Sequence, residues 1–256
     1  MNDVVRTHTQ GRVLVVTLDR PQARNAVNGE LARGLEAAVD RLESSDDLWA
    51  GVLTGEGPAF SAGADLKVVA AGSQQELLTE RGGFAGFVQR ERTKPLIAAL
   101  QGDAVAGGME IAIACDLIIA ATGVRMGLPE VSRSLVATGG GLVRLPKLIG
   151  EKAALELAMT GTAQPVEHLA GLGLVSRVVP ADEVQRQAVE LAERICANAP
   201  LAVRAARRVI VEGADLDEPQ RWRLGDEELA RIARTNDFAE GPRAFVEKRS
   251  PRWTAT

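Results

Sequence analysis

The stretch KPLIAALQGDAVAGGMEIAIACDLIIAA, residues 94–121, decides the fold class of this chain. It opens on the apolar run 94–102 and closes on DLIIAA, 116–121, and both have the length and composition of short buried strands. Between them Gly107 and Gly108 begin a segment that reads as a helix. Strand, helix and strand in this order imply an α/β core with crossover connections. Glu110 stands inside that segment among Ala, Gly, Ile and Met. An ionised carboxylate is costly to bury alone, so such a residue either turns out to solvent, is neutralised by a raised pKa, or is kept for chemistry.

The flanking sequence continues the pattern. RVLVVTLDRP (12–21) reads as a strand that leaves at its proline, and WAGVLTGEG (49–57) as another. Between them NGELARGLEAAVDRLESSDD (28–47) predicts a helix capped by Asn28, with Leu31, Leu35, Ala38, Val39 and Leu42 on one stripe. From Gly150 onward the periodicity is mostly helical, with one short strand at GLVSRVV (173–179). The expected organisation is an α/β core over residues 1–200 and a helical carboxy-terminal region over 201–256. The polar, Gly-rich segment 68–92 is expected to be a mobile lid.

Composition removes several function classes. A length of 256 residues with 46% hydrophobic content supports a substantial core without disulfides. The two cysteines, Cys115 and Cys196, lie among apolar residues and read as reduced core residues, which makes a cytoplasmic location the expectation. No secretory leader is visible at the amino terminus, and the most apolar stretch is interrupted by Gln101, Asp103, Glu110 and Asp116, so no membrane partner is expected. A formal net charge of -4 and 3% aromatics with no tyrosine argue against a nucleic-acid partner. Two histidines, His8 and His168, give little support to a histidine-based triad or metal site; no metal or cofactor is expected.

Two glycine-rich bends remain. TGEGPAFSAGADL (54–66) leaves a strand through Gly55, Gly57, Pro58 and Gly63, with Phe60 as its buried anchor. Gly107 and Gly108 put unpaired N–H groups at the positive end of a helix dipole. Singly, each is an ordinary turn; facing each other, they would make an oxyanion hole, where small residues let a carbonyl approach the backbone. Glu130, directly after Pro129, is a second carboxylate in an apolar context, and there it either complements a helix dipole or joins Glu110.

FSAGADLK, KPLIAALQGDAVAGGMEIAIACDLIIAA, GLPEVSRSLVATGGGLVRLP and EGPRAFVEKRSPRW together resemble the enoyl-CoA hydratase/isomerase (crotonase) superfamily, in its order and over nearly the whole chain. The resemblance implies the ClpP/crotonase fold of repeated ββα units, a helical carboxy-terminal region that packs homotrimers or hexamers, and an acyl-CoA thioester as ligand. It implies that the N–H groups of Ala62 and Gly107 form the oxyanion hole. Glu110 and Glu130 then correspond to the catalytic glutamates of the hydratase branch. Ala23, Arg24, Gly63, Ala64, Asp65 and Leu66 match CoA contacts, as do Phe245 and Lys248 near the nucleotide. For Arg24 and Lys248 the physical motive is phosphate neutralisation. Thr138 replaces a glycine close to the expected acyl group.

The activity this implies is addition of water across the 2,3 double bond of an enoyl-CoA, Glu110 activating the water and Glu130 protonating C2. GGFAGF (82–87) and the carboxy terminus also resemble the carnitinyl-CoA dehydratase branch. An isomerase, a hydrolase or dehalogenase, and a non-catalytic acyl-CoA-binding scaffold are the alternatives.

Overall fold

A computed structural model describes residues 4–256; residues 1–3, the start of the stretch read for a leader, lie outside it. Strands β1 (Val5–Gln10), β2 (Val13–Leu18), β3 (Ala50–Gly55) and β4 (Ala59–Ser61) enclose helix α1 (Gly29–Ser44) and lead to α2 (Leu66–Ala70). A small pair, β5 (Leu78–Thr79) and β6 (Gly83–Phe84), precedes β7 (Leu96–Leu100), β8 (Asp103–Val105) and α3 (Gly107–Ala114). Then come β9 (Leu117–Ala121), β10 (Arg125–Gly127), α4 (Gly141–Ile149), α5 (Glu151–Thr160), β11 (Gln164–Pro165), α6 (Val166–Gly171) and β12 (Arg177–Val179). Helices α7 (Val184–Cys196), α8 (Pro200–Gly213), α9 (Glu218–Ile232) and α10 (Asn236–Val246) complete the chain.

One sheet has the order β1-β2-β3-β7-β9-β12, parallel except for the β1–β2 hairpin. A second has the order β11-β10-β8-β4. After the β1–β2 hairpin and α1, successive turns of the chain lay one strand in the large sheet, the next in the small sheet, then a helix, as β3–β4–α2 and β7–β8–α3 do. The consequence is local and decisive. Because β4 and β10 both pair in parallel with β8, the chain segments leaving these three strands emerge side by side.

The strands expected at 12–21, 49–57, 94–102, 116–121 and 173–179 are all present. Asn28 caps α1 by accepting from the Leu31 N–H at 2.9 Å, and the predicted apolar stripe is buried, each leucine worth about 2 kcal/mol of removed surface. Strand β1 was not foreseen. It is an edge strand with only Val5 buried, so its side chains carry no apolar alternation. The expected lid is corrected in its second half. Beyond Leu77 the segment is tied to α1 by Thr79 on Glu36 and by Arg81 and Arg90 on Asp40.

Both cysteines are unpaired, Cys115 buried and Cys196 partly so. Across the 201 boundary, Arg207 on α8 reaches back to Asp116, which also accepts from the buried Arg92. Among the described residues no helix is long and apolar enough to cross a membrane.

Candidate active site

The β4–β8 pairing sets the first bend against the second. Gly63 has φ +81°, and a Cβ on it would lie 2.6 Å from the Gly107 nitrogen and 2.9 Å from the Ala106 Cβ, so only glycine permits this approach. Asn25, fully buried, fastens the 54–61 bend by donating to the Ala59 carbonyl at 2.8 Å and the Glu56 carbonyl at 2.9 Å. Val27 and Ala64 then form a parallel bridge: the Val27 N–H donates to Gly63 and the Asp65 N–H to Val27.

This bridge corrects one site assignment. The Ala62 N–H donates to the Arg24 carbonyl at 2.9 Å, so it is committed to the backbone. The bridge aims the N–H of Ala64 the other way, and among the described residues it has no acceptor; nor has the N–H of Gly107, at the first turn of α3. The free donor pair at the junction is Ala64 and Gly107. The ring of Phe84 lies directly on Gly107, in the space a Cβ would occupy.

Glu110 is buried, on the first turn of α3. Its Oε1 accepts from the Gly141 N–H at 2.9 Å. Burial pushes its carboxyl up to about 7, against the Gly141 and Gly139 N–H groups, which favour the charged form, and with the charge of Glu130 raising it further. Glu130 follows Pro129 on a single 3-10 turn, 129–133. It reaches this place because β10 pairs with β8 and the Ala106 N–H donates to the Gly127 carbonyl at 2.8 Å. Burial raises its pKa as well, and its Oε2 is buried without a hydrogen-bond partner. One carboxylate is anchored and the other has an oxygen unclaimed by protein. A water or substrate hydroxyl between them would satisfy it.

The other predicted contacts distribute as follows. Ala23 ends a 3-10 turn, and Arg24, with φ +52°, is exposed and has no ion pair among the described residues. The Asp65 carboxylate is already engaged, accepting from Lys67 N–H at 3.1 Å and pairing with Arg20 at 3.2 Å, and Leu66 is exposed. Thr138 is exposed between the buried Ala137 and Gly139. Phe245 and Lys248 lie at the end of α10 and just beyond it, solvent-exposed, and make no hydrogen bond or ion pair with either bend. His168 is exposed on α6. Among the described residues no three His, Cys, Asp or Glu side chains converge to hold a metal.

Sequence reading placed Ala64 among the CoA contacts and not as an oxyanion donor, and it missed Phe84 and the glycines that hold Glu110. The run GGG at 139–141 carried a signal for the last: a Cβ on Gly139 would collide with the Glu110 carboxylate, and one on Gly141 would lie 3.1 Å from Oε1.

Comparison with known proteins shows the family. A family profile described as enoyl-CoA hydratase/isomerase matches residues 8–256. An enoyl-CoA hydratase of Mycobacterium tuberculosis, EchA19, is 36% identical over 250 residues, covering 95% of this chain and 94% of that one. A carnitinyl-CoA dehydratase of Proteus mirabilis is 35% identical over 259 residues, covering 99% of each. The crystal structure of an enoyl-CoA hydratase from Mycobacterium tuberculosis H37Rv superposes with a TM-score of 0.95 at 44% identity, over 99% of this chain and 100% of that one. The chain belongs to the enoyl-CoA hydratase/isomerase family and has the crotonase fold.

Proposed function

We propose that this protein adds water across the 2,3 double bond of a 2-enoyl-CoA thioester, giving the 3-hydroxyacyl-CoA, and runs the reverse dehydration. The observation that carries the reading is the pair of carboxyls: Glu110 held by backbone donors, Glu130 with a buried oxygen that no protein group satisfies. An isomerase needs one proton carrier and a binding scaffold needs none.

The thioester oxygen sits on the N–H groups of Ala64 and Gly107, whose donors are fixed before charge develops on it. Glu110 and Glu130 hold one water and one proton between them. Glu110 takes a proton from the water as its oxygen bonds to C3, the C2–C3 π electrons move into the enolate, and Glu130 delivers its proton to C2. The pair then carries the same single proton, now on Glu110, which passes back through the site. Phe84 and Thr138 flank the acyl group; Ala23, Arg24, Gly63, Asp65 and Leu66 lie along the CoA, and Phe245 and Lys248 serve its nucleotide end. No metal or cofactor takes part.

The similarity to the carnitinyl-CoA dehydratase of Proteus mirabilis supports a second reading, in which the same two glutamates dehydrate carnitinyl-CoA in preference to an unsubstituted 3-hydroxyacyl-CoA. Product analysis with 2-enoyl-, 3-enoyl-, 3-hydroxyacyl- and carnitinyl-CoA separates the possibilities. Hydration of the 2-enoyl thioester supports the proposal. Conversion of 3-enoyl to 2-enoyl thioester with no hydroxyacyl product would overturn it in favour of an isomerase.

A further inference from the structure

Arg144 is half-buried on the first turn of α4, and it forms no ion pair among the described residues. A guanidinium in that position loses hydration without a direct ion pair to offset the loss, and it also faces a second buried cation, Arg92. Such an arrangement marks a group retained for something other than stability.

Its surroundings say what that is. Gly140 has φ +102°, and the space a Cβ would fill there is occupied by Nη1 of Arg144. The residues on either side of Gly140 are the ones that contain Glu110: Gly141 donates to Oε1, and Gly139 abuts the carboxylate. On its other side Arg144 donates through Nη2 to the Val88 carbonyl. Val88 belongs to the loop that lays Phe84 on Gly107, a loop closed on itself by the Gln89 N–H donating to Gly82 at 2.9 Å. One guanidinium therefore spans the two walls of the site.

We propose that Arg144 is a positioning residue for the hydration: lodged in the space Gly140 leaves, it locks the 139–141 turn that holds Glu110 to the loop that sets Phe84 beside the oxyanion donors, with its positive charge behind the carboxylate. This rests on the hydratase reading for its kinetic part and on the geometry alone for its effect on Glu110. The titratable groups facing Glu110 are Glu130 and Arg144; those facing Arg144 are Glu110, Arg92 and the Cys115 thiol, which burial keeps neutral. Removing the Arg144 cation leaves Glu130 as the neighbouring charge, so the Glu110 carboxyl must titrate at higher pH.

The test uses Arg144→Gln and Arg144→Lys in the full chain, with two readouts. The first is kcat and KM for a 2-enoyl-CoA; the second is the titration of the Glu110 carboxyl followed by carbon-13 NMR, which needs no turnover. For Arg144→Gln the expected result is a kcat about tenfold lower or more, with KM within about threefold, and a Glu110 midpoint moved to higher pH. Arg144→Lys keeps the charge without the planar fork, so its midpoint stays near the wild-type value while kcat falls.

A folded Arg144→Gln protein with wild-type kcat and an unmoved Glu110 midpoint overturns the proposal. If that variant does not fold, wild-type kcat in folded Arg144→Lys overturns it equally. If the wild-type protein hydrates no enoyl thioester, the hydratase reading fails on its own, and the Glu110 midpoint in Arg144→Gln still decides the role of Arg144.

Discussion

Replacing Glu110 with Gln is expected to stabilise the protein at alkaline pH while abolishing its activity. Burial raises the Glu110 carboxyl from 4.5 to about 7. A group whose folded pKa lies above its unfolded value contributes stability that is fully present below the unfolded pKa and is lost as pH rises through the folded pKa. The gap of about 2.5 pH units corresponds to about 3 kcal/mol lost once pH exceeds 7, and almost none of it at about pH 4. Gln cannot ionise and escapes that loss. It keeps an oxygen for the Gly141 N–H but sets its amide against Gly139, at a cost of about 1 kcal/mol at every pH. Urea unfolding of wild type and Glu110→Gln should therefore show the variant less stable by about 1 kcal/mol near pH 4 and more stable by about 2 kcal/mol near pH 8. A difference between the two proteins that does not change with pH would refute the reasoning, because Glu110 would then titrate alike in both states.

Other substitutions probe the support of the site. Gly139→Ala drives a methyl into the Glu110 carboxylate, so kcat is expected to fall at least tenfold, roughly the effect of misplacing a catalytic group by a fraction of an ångström, while thioester KM holds. Steady-state kinetics check this. Lys94, 2% exposed, donates to the Leu42 and Ser45 carbonyls at 2.7 and 2.6 Å, in the last turn and at the C-cap of α1. Lys94→Met takes the charged donor from both carbonyls, leaving Ser45 only the Leu48 N–H at 3.3 Å, and should cost about 2 kcal/mol in urea unfolding, with kcat of the folded protein unchanged.

Much of this was readable in the sequence, because apolar periodicity reports which side of an element is buried. The α1 stripe, the cap at Asn28, and the strands around 94–121 follow from that alone. The two glutamates stood out because a carboxylate in an apolar run requires a reason. Where local pattern gives way to long-range pairing, the reading weakened. Ala62 and Ala64 are two residues apart in a run of small side chains, and nothing in FSAGAD says that the positive φ of Gly63 and the bridge to Val27 commit one amide and free the other. Arg144 lies 34 positions after Glu110 by their numbering and joins it only through the turn at 139–141. Phe84 reaches Gly107 through a loop whose own composition reads as mobile, and its ties to Asp40 and Glu36 come from α1, far earlier in the chain.

The two-carboxylate hydration is tested most directly by the loss of enoyl-thioester absorbance when purified protein is added to a series of 2-enoyl-CoA substrates from crotonyl to long-chain. Wild type, Glu110→Gln and Glu130→Gln are compared side by side. The account predicts turnover by the wild type and a loss of at least about a hundredfold in each variant, since each removes one of two proton carriers. Turnover that persists in either variant would contradict it.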